Sequence, residues 1–435
     1  MFRRMTRRRL AAYTGSVAGA SWLAACGAGS SSANPVPAAK QVTLVHWGGL
    51  PTTHPSGAAH YGTIDEHAEE LRSTLGATIQ SDVADTEKIM VASAGGTPPN
   101  TAWIGYEDGA RLFVLQMIVD PDEQLKRVKE WAAQRKDIFP GMLESSMWGG
   151  KLTSIPTDTS TRGIYYDKAV LAKAGVMPPG ATWMRDEFVQ KIVKASAPPD
   201  RWGFTYSPTW LDFMVFLGTA GGSLMNKEQT KFTIDTPVGK ETLQFLYDLA
   251  YKQQAVPTPP AGEMMRRAEG KVAFDMSGNF RLPTLRKAGL DVGSVAIPSQ
   301  KARFTQADGW NVGIFKAKDA AVQQAAARFA LWLNSTAFQV PFLIKSDNVP
   351  VSKAALEHKD FQAYLAKDPV VRVFSDQAPN AYRAPTAPSG RKAEDVISGY
   401  LKKALNNEMG LNDALAQGQR EAQLILDDDL RQTAT

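Results

Sequence analysis

The sequence predicts an α/β protein in which strands alternate with helices. Short runs rich in β-branched and aromatic residues recur along the chain, helical periodicity follows most of them, and Gly/Pro turns separate the two. At 435 residues, with 43% hydrophobic and 21% charged residues, the composition is that of an ordinary globular protein of two or three domains.

The first cycle of elements is predicted from residue 42 onwards. A strand covers Val42 to Trp47 and ends at two glycines. Apolar residues spaced i, i+4, i+7 and i+11 then predict a helix from Ile64 to Leu75, with Gly76 as its C-cap. A second helix is predicted over Thr86 to Ala94, and a second strand over Thr101 to Ile104. This order favours a parallel sheet.

The cycle repeats further along the chain. The remaining predicted elements are helices over 111–119 and 122–135, a strand near 151–155, and amphipathic helices over 320–334, 394–406 and 411–426. Trp131 and Trp332 fall within helical periodicity and are assigned to the core.

The net charge of +5 does not indicate a basic surface for nucleic-acid binding. Five of the 49 basic residues lie between Arg3 and Arg9, before the first acidic residue, Asp65. The rest of the chain carries equal numbers of basic and acidic residues, so nucleic-acid binding is excluded as a leading function.

The N-terminus is predicted to be an export signal. Residues 1–25 combine a basic segment with an apolar stretch of 16 residues, too short for a comfortable membrane span. Thr6 to Leu10 resembles the twin-arginine export motif, and the general secretory route stays open. The only cysteine, Cys26, ends a segment that looks like a bacterial lipobox, so we expect it to carry a lipid. Residues 26–40 then form a flexible tether, which predicts an extracytoplasmic protein anchored to the membrane.

Several catalytic motifs are missing from the sequence. It contains no Gly-x-Ser-x-Gly elbow, phosphate-binding Gly-rich loop or His-Glu-x-x-His zinc motif, so we expect neither an enzyme nor a cofactor. Four of the five histidines, His46, His54, His60 and His67, lie within 22 residues. Their spacing matches no closed metal motif and favours a polar loop after the first strand, although a transition-metal site stays open.

Tryptophans next to glycines are the candidate binding residues. The chain has ten tryptophans, and Trp47, Trp103, Trp148 and Trp310 lie within two residues of a glycine. Loops at the carboxyl ends of parallel strands bind ligands in α/β proteins. Flat aromatic faces there suit sugar rings, whose hydroxyl groups need polar partners.

Sequence blocks spread over most of the chain resemble the extracellular solute-binding lipoproteins of ABC importers, in the sugar-binding group that includes maltose-binding protein. The blocks are residues 92–100, 150–156, 163–168, 173–176, 178–183, 309–314 and 348–352. The chain departs from the family pattern at Asn100, Asp167 and Phe280, where Asp, Asn and often Trp are usual. These departures put maltose itself in doubt as the ligand.

The resemblance implies a two-lobed periplasmic-binding-protein fold of type II, each lobe a mixed sheet flanked by helices, with a ligand cleft between them. The implied first lobe comprises residues 41–155 and about 308–355, and the second comprises about 156–307 and 356–435. Such lobes close over a ligand by hinge motion. The implied partners are a small sugar-like solute and the permease subunits of an ABC transporter, and the protein is expected to act as a monomer.

The resemblance also implies the positions of the ligand-binding residues. They are Trp47, Tyr106, Glu107, Asp158, Ser160, Trp210, Asn279, Phe280 and Trp310. If the ligand is instead a phosphate, Arg162 and Arg281 become the leading contacts, because guanidinium groups suit phosphate oxygens.

Two other function classes stay open from the sequence. An exported hydrolase would use paired carboxylates such as Glu107 and Asp158. A sensory lipoprotein would present its ligand to a receptor rather than to a transporter.

Overall fold

The computed structural model describes residues 41–262, 271–384 and 386–434. The predicted signal peptide, Cys26 and the tether therefore lie outside the described residues. The strands are β1 Val42–Gly48, β2 Ala77–Val83, β3 Thr101–Gly105, β4 Met147–Trp148, β5 Lys151–Leu152, β6 Ile155–Asp167, β7 Trp202–Thr205, β8 Val272–Gly278, β9 Val292–Val295, β10 Thr305–Ile314 and β11 Ala381–Tyr382.

Helices surround these strands. They are α1 Pro55–Glu66, α2 Ala68–Leu75, α3 Thr86–Ala94, α4 Asp108–Val114, α5 Pro121–Leu125, α6 Lys129–Asp137, α7 Pro140–Glu144, α8 Lys168–Ala174, α9 Arg185–Ala195, α10 Trp210–Thr219, α11 Pro237–Tyr251, α12 Leu282–Lys287, α13 Ala320–Leu333, α14 Thr336–Ser346, α15 Lys353–Glu357, α16 Lys359–Lys367, α17 Pro369–Asp376, α18 Gly390–Leu405 and α19 Leu411–Ala434. Two 3-10 turns cover Asn279–Arg281 and Ala378–Asn380. No helix of the described ranges combines the length and the apolar character needed to cross a membrane.

One mixed sheet organises the fold. Its strand order is β2-β1-β3-β10-β6-β8-β7, with β9 beside β6 and β11 beside β10. The pairs β1–β2, β1–β3 and β7–β8 are parallel, whereas β3–β10, β10–β6 and β6–β8 are antiparallel. The α/β class is confirmed, but the expectation of a parallel sheet holds only toward its two ends, because β10 and β6 run antiparallel through its centre.

The first helical region differs from the prediction. Helix α1 begins at Pro55, nine residues earlier than expected, and His54 accepts a hydrogen bond from the Ser56 backbone as its N-cap. The sequence pattern missed this helix because its buried face is built mainly from small and polar residues rather than large apolar ones. His60 therefore lies on a buried helix rather than in a polar loop, which corrects that expectation.

The centre of the sheet depends on a long strand. The sequence predicted a strand that ends near Ile155, whereas β6 runs for 13 residues to Asp167 and is buried over most of its length. Its partner β10 has a register shift between Trp310 and Asn311. Gly309 has a φ of 146°, and a Cβ at this position would lie 2.5 Å from the backbone oxygen of Asp158. Only glycine lets the two strands approach this closely.

Two large apolar clusters pack against the sheet. The first contains Phe204, Phe213 and Phe216 with the buried faces of α18 and α19. The second contains Leu44, Trp103 and the α13–α14 aromatics Phe329, Phe338 and Phe342. Strand β6 contributes Ile164 to the first cluster and Tyr165 to the second. Alternate side chains of one strand therefore tie the two clusters together.

A pair of histidines is buried in the second cluster. His46 of β1 and His60 of α1 are fully buried, and their Nε2 atoms lie 2.8 Å apart. The Nδ1 atom of His46 lies 2.9 Å from the hydroxyl oxygen of Thr101. Burial lowers the pKa of His46 to about 3, and burial followed by repulsion from His46 lowers the pKa of His60 well below its usual value. Both rings are therefore neutral near pH 7.

His54 and His67 do not join this pair. His54 caps α1, and Nδ1 of His67 lies 2.8 Å from the backbone oxygen of Thr63. Among the described residues, no group of three or more His, Cys, Asp or Glu side chains is arranged to hold a metal ion.

We expect acid to destabilise this fold through the histidine pair. The histidines of the unfolded chain take up protons near pH 6.5, whereas His46 in the fold stays neutral down to about pH 3. Between these values the unfolded state binds more protons, so the free energy of unfolding falls by up to about 1.4 kcal/mol per pH unit for each histidine. Urea denaturation at a series of pH values from 7 to 4 measures this slope.

Two variants test the origin of the slope. His60→Phe keeps a ring in the cluster and removes one titrating group, so its stability should fall less steeply with acid than that of the wild type. His358→Asn, at the partly exposed N-cap of α16, is the matched control, because it removes a histidine that lies outside the buried pair. Equal slopes in all three proteins would contradict the prediction.

Candidate functional site

A cavity of about 690 Å³ opens beside the central strands β6 and β10. The strands contribute residues 158–160 and 308–310 to its wall. Loops, helix ends, a 3-10 turn and the last residue of β3 supply the rest, which are residues 49, 50, 54–56, 85, 86, 105, 107, 108, 280, 281, 283, 284, 346, 348 and 391. Segments far apart in sequence therefore converge on one concave surface, the geometry expected of a small-molecule site.

Stacked rings form one wall of this cavity. Trp310 is partly buried and packs on Trp103, with ring centroids 4.7 Å apart and planes at 34°. Trp103 in turn stacks on His60 at 4.1 Å and 8°. A Cβ at Gly49 would lie 2.5 Å from Cζ3 of Trp310, so glycine at this position leaves room for the ring. The Trp310 ring is thus supported from behind by a rigid stack.

Asp158 is the buried carboxylate of the cavity. It is 1% exposed, and its Oδ2 accepts hydrogen bonds from Nε1 of Trp103 and from the Thr157 hydroxyl, each at 3.1 Å. Its Oδ1 accepts from Nδ2 of Asn348 at 3.0 Å. Burial raises the pKa of Asp158 to about 7, against the lowering effects of Arg383 and these donors. Its charge state is therefore sensitive to small changes around neutral pH.

Arg383 lies behind the cavity wall and clamps the two central strands. It is 2% exposed and donates to the backbone oxygen of Asp158 and to Oδ1 of Asn311, both at 2.6 Å. The guanidinium also lies over the Tyr106 ring, 5.0 Å from its centroid. Burial lowers the pKa of Arg383 to about 10, and Tyr106, Asp158 and Asp308 oppose that shift.

An ion pair lies on another side of the cavity. Arg391, in the first turn of α18, donates to Oε1 of Glu107 at the N-terminus of α4. The Glu107 side chain is mostly buried, whereas that of Arg391 is mostly exposed. The second carboxylate oxygen of Glu107 is buried and accepts no hydrogen bond from the described residues. An unpartnered buried acceptor is costly, so this oxygen is suited to a donor from a bound molecule.

Acidic groups outnumber basic groups along the wall. The carboxylates are Asp85, Glu107, Asp108, Asp158 and Asp308, against two arginines, Arg281 and Arg391. Arg391 is paired with Glu107. Asp108 accepts a hydrogen bond from the Thr86 hydroxyl at 2.6 Å, and burial raises its pKa. The cavity therefore offers more acceptors than cations to a ligand.

The structure brings five of the nine sequence-predicted residues together on the cavity wall. They are Glu107, Asp158, Ser160, Phe280 and Trp310. Phe280 replaces the tryptophan usual in the family and is 46% exposed, with the Arg281 guanidinium 5.3 Å from its ring centroid. The cavity wall thus carries exposed aromatic surface from Phe280 as well as from Trp310.

The other four predicted residues lie elsewhere. Trp47 packs against a small cluster beside Ile89, under the Lys88 ammonium. Tyr106 is buried beneath Arg383. Trp210 is 8% exposed and belongs to the first apolar cluster. Asn279 is buried, where its Oδ1 accepts from the Thr161 backbone and its Nδ2 donates to the Asp347 backbone oxygen.

Sequence reasoning missed the residues that hold the site in place. Arg383 follows the short strand β11 and Arg391 starts α18, in a region where no motif marks either residue. Asn348 lay within a matching block but was not singled out. Arg162, proposed for a phosphate ligand, instead pairs with the buried Asp212, with Nη1 and Oδ1 3.1 Å apart.

The chain belongs to the bacterial extracellular solute-binding proteins, because the model of that family matches residues 74–369. A related protein is the sn-glycerol-3-phosphate-binding periplasmic protein UgpB of Rhizobium meliloti (strain 1021). It is 26% identical over 347 residues, which are 76% of this chain and 78% of the relative.

Two solved structures share the fold. The cyclic alpha-maltosyl-1,6-maltose binding protein of Arthrobacter globiformis has a TM-score of 0.78 and 17% identity, over 89% of this chain and 99% of its own. UgpB of Mycobacterium tuberculosis, in complex with glycerophosphocholine, has a TM-score of 0.72 and 18% identity over the same shares. The predicted periplasmic-binding-protein fold and family resemblance are therefore confirmed, and solute capture is the function that the family shares.

Substitutions of two tryptophans, one on the cavity wall and one in the core, distinguish a role in binding from a role in folding. Trp310→Ala is expected to weaken solute binding by about 1–3 kcal/mol, because it removes an aromatic face of the cavity. It should also lower the melting temperature, since the ring packs on Trp103. Titration calorimetry and thermal melts of the same preparations measure both effects.

Trp210→Ala is the matched control. This buried ring should cost about 3–5 kcal/mol of folding stability and leave the affinity of the folded protein unchanged. Unchanged affinity in Trp310→Ala, or an equal loss of affinity in both variants, would contradict the placement of Trp310 at the ligand.

Proposed function

We propose that the cavity captures an uncharged polyhydroxylated solute, a sugar or oligosaccharide, and that the protein delivers it to the permease of an ABC transporter. The observation that carries this proposal is the combination, in one cavity, of the Trp310 face with buried carboxylate acceptors. A sugar ring offers C–H groups to an aromatic face and hydroxyl donors to carboxylates such as Glu107 and Asp158.

Charge favours a neutral ligand over an anionic one. A phosphate in the cavity would face five carboxylates, and of the two arginines on the wall Arg391 is paired with Glu107. Arg162 is engaged by Asp212 and does not line the cavity. The relatives named for sn-glycerol 3-phosphate therefore support capture of a small polar solute. The excess of carboxylates over arginines on the cavity wall favours a neutral sugar over a phosphate.

Closure over the ligand is part of the proposal. The lobes would be residues 41–155 with about 308–355, and about 156–307 with 356–435, and they would move about the central strands. Glu107 and Arg391 belong to different proposed lobes, so their ion pair supports contact across the cleft. We also propose that the protein acts as a monomer.

A hydrolase is the weaker candidate. Asp158 is almost fully buried and already accepts three hydrogen bonds, and Glu107 is paired with an arginine, so neither carboxylate is placed to attack a bond of a solute. The family and the relatives are binding proteins. A receptor-directed sensory role would use the same cavity and differs only in the partner.

A ligand screen tests the proposed solute class. Neutral oligosaccharides should raise the melting temperature by several degrees at millimolar concentration, whereas glycerophosphocholine and sn-glycerol 3-phosphate should give smaller shifts. Affinity for the best sugar should change less than about twofold between low and physiological salt, because no net charge is neutralised on binding.

Trp310→Ala should abolish most of the sugar-induced shift, and Trp210→Ala serves as the control. Tighter binding of a phosphate ligand, with affinity that falls steeply as salt increases, would overturn the sugar assignment and leave solute capture in place.

We also propose that the protein is an extracytoplasmic lipoprotein, anchored through Cys26 to the cell membrane on its periplasmic or cell-surface side. Cys26→Ala is expected to move the protein into the soluble fraction, since no helix of the described residues provides a second anchor. Fractionation followed by a carbonate wash measures the shift. Cys26→Ser is a conservative second variant, and retention of either variant in the membrane would contradict the proposal.

A further inference from the structure

One buried side chain contacts two separate groups of the cavity wall. The ring of Trp103 supports Trp310, and its Nε1–H is shared between Oδ2 of Asp158 at 3.1 Å and the Thr157 hydroxyl oxygen at 3.2 Å. Trp103 itself is 0% exposed and does not line the cavity. It therefore cannot contact a solute, and any effect it has on binding passes through its two neighbours.

The surroundings of Trp103 hold it in one orientation. His60 stacks on the face of its ring at 4.1 Å, and His60 also stacks on His46. Phe342 meets the Trp103 ring edge-on at 6.1 Å. Close-packed rings leave little room for rotation, so both the ring plane and the direction of the N–H are fixed.

We propose that Trp103 is a positioning residue of the cleft, which sets the plane of the Trp310 ring and fixes the orientation of the Asp158 carboxyl group through its indole N–H. This proposal rests on the proposed function of the cavity. It adds that the indole of Trp103 fixes the position of the Trp310 ring relative to the Asp158 carboxyl group.

The hydrogen bond to Asp158 gives the proposal a measurable consequence. A donor to a carboxylate favours its ionised form, and Trp103 is one of three side chains that donate to Asp158. Arg383 is the charged group that acts on Asp158 from behind the wall, and Asp308 acts on Arg383 in turn. His60 and His46, beneath Trp103, are neutral near pH 7.

Loss of the indole N–H should therefore raise the pKa of Asp158. Burial has already brought this pKa to about 7, so roughly half of the carboxylate is ionised at neutral pH. A further rise of about one unit would reduce the ionised fraction at pH 7 to about one tenth, whereas at pH 9 the carboxylate would stay mostly ionised.

The experiment compares Trp103→Phe with the wild type in binding to maltotriose, or to another sugar of the screen if maltotriose does not bind. Phenylalanine keeps a ring beneath Trp310 and removes the N–H. We expect an affinity loss that is about fivefold larger at pH 7 than at pH 9. The loss that remains at pH 9 measures the changed support of Trp310.

Trp183→Phe is the matched control. Trp183 is 2% exposed, and its Nε1 donates to the backbone oxygen of Ala296 at 2.7 Å, with no contact to the cavity wall described above. It loses the same N–H from the same kind of buried site. Its affinity should follow the wild-type pH profile.

A loss in Trp103→Phe that is the same at pH 7 and pH 9 would overturn the proposal, as would an unchanged affinity at both. If the wild type binds no sugar at either pH, the proposed sugar function fails instead.

A second measurement needs neither a ligand nor the variant. In NMR spectra of the free wild-type protein, the indole N–H resonance of Trp103 should shift with pH, with a midpoint near 7, while that of Trp183 should not. Absence of this transition would overturn the link between Trp103 and Asp158 even if Trp103→Phe does not fold.

Discussion

The cleft depends on charged groups buried where β6 and β10 lie side by side. Arg383 donates to the backbone of Asp158 on one strand and to Asn311 on the other, while Asp158 holds its carboxylate toward the cavity. A buried charge is tolerated only when hydrogen-bonding or oppositely charged partners compensate it. Removal of one partner leaves the other as an uncompensated buried charge and lowers the folding stability by several kcal/mol. The same contacts that make this burial tolerable also fix the strands that carry Asp158, Ser160 and Trp310.

Close approach of these strands imposes a second constraint. The Thr159 hydroxyl of β6 donates to the backbone oxygen of Asp308, and the Thr157 hydroxyl, which also contacts Asp158, lies 3.0 Å from the backbone oxygen of Trp310. Gly309 sits between Asp308 and Trp310 at a positive φ, where a Cβ would collide with β6. The register shift after Trp310 then changes the face on which the following residues of β10 point. Backbone geometry, rather than a flexible loop, aims the tryptophan at the cavity.

The sequence predicted the α/β class and the family because both rest on patterns that are local. Strand runs, helix periodicity and ordered sequence blocks are all readable without knowledge of contacts. The family resemblance implied Glu107, Asp158 and Trp310 as cleft residues, and they line the cavity. It implied Trp47 and Trp210 as well, but both pack in apolar clusters, because burial depends on residues that are distant in sequence. Helix α1 was missed because its buried face includes polar residues such as His60. A histidine can be buried there because it is neutral and lies within hydrogen-bonding distance of His46, and the sequence does not show this contact. Arg383 and Arg391 carry no motif, and only the fold reveals what they contact.

The stack of Trp310, Trp103, His60 and His46 connects the cleft with the core of the second cluster. A histidine in such a stack must stay neutral, because a charge there would lose its hydration without gaining a carboxylate partner. Burial keeps both imidazoles neutral, and neutral imidazoles can pack as flat rings beneath Trp103. Trp103 therefore lies between a histidine pair that burial keeps uncharged and a carboxyl group whose pKa is raised by burial and lowered by the hydrogen bonds that it accepts. This arrangement places the closely packed rings of the core directly behind the aromatic face of Trp310 and the carboxyl group of Asp158, two groups that a sugar would contact together.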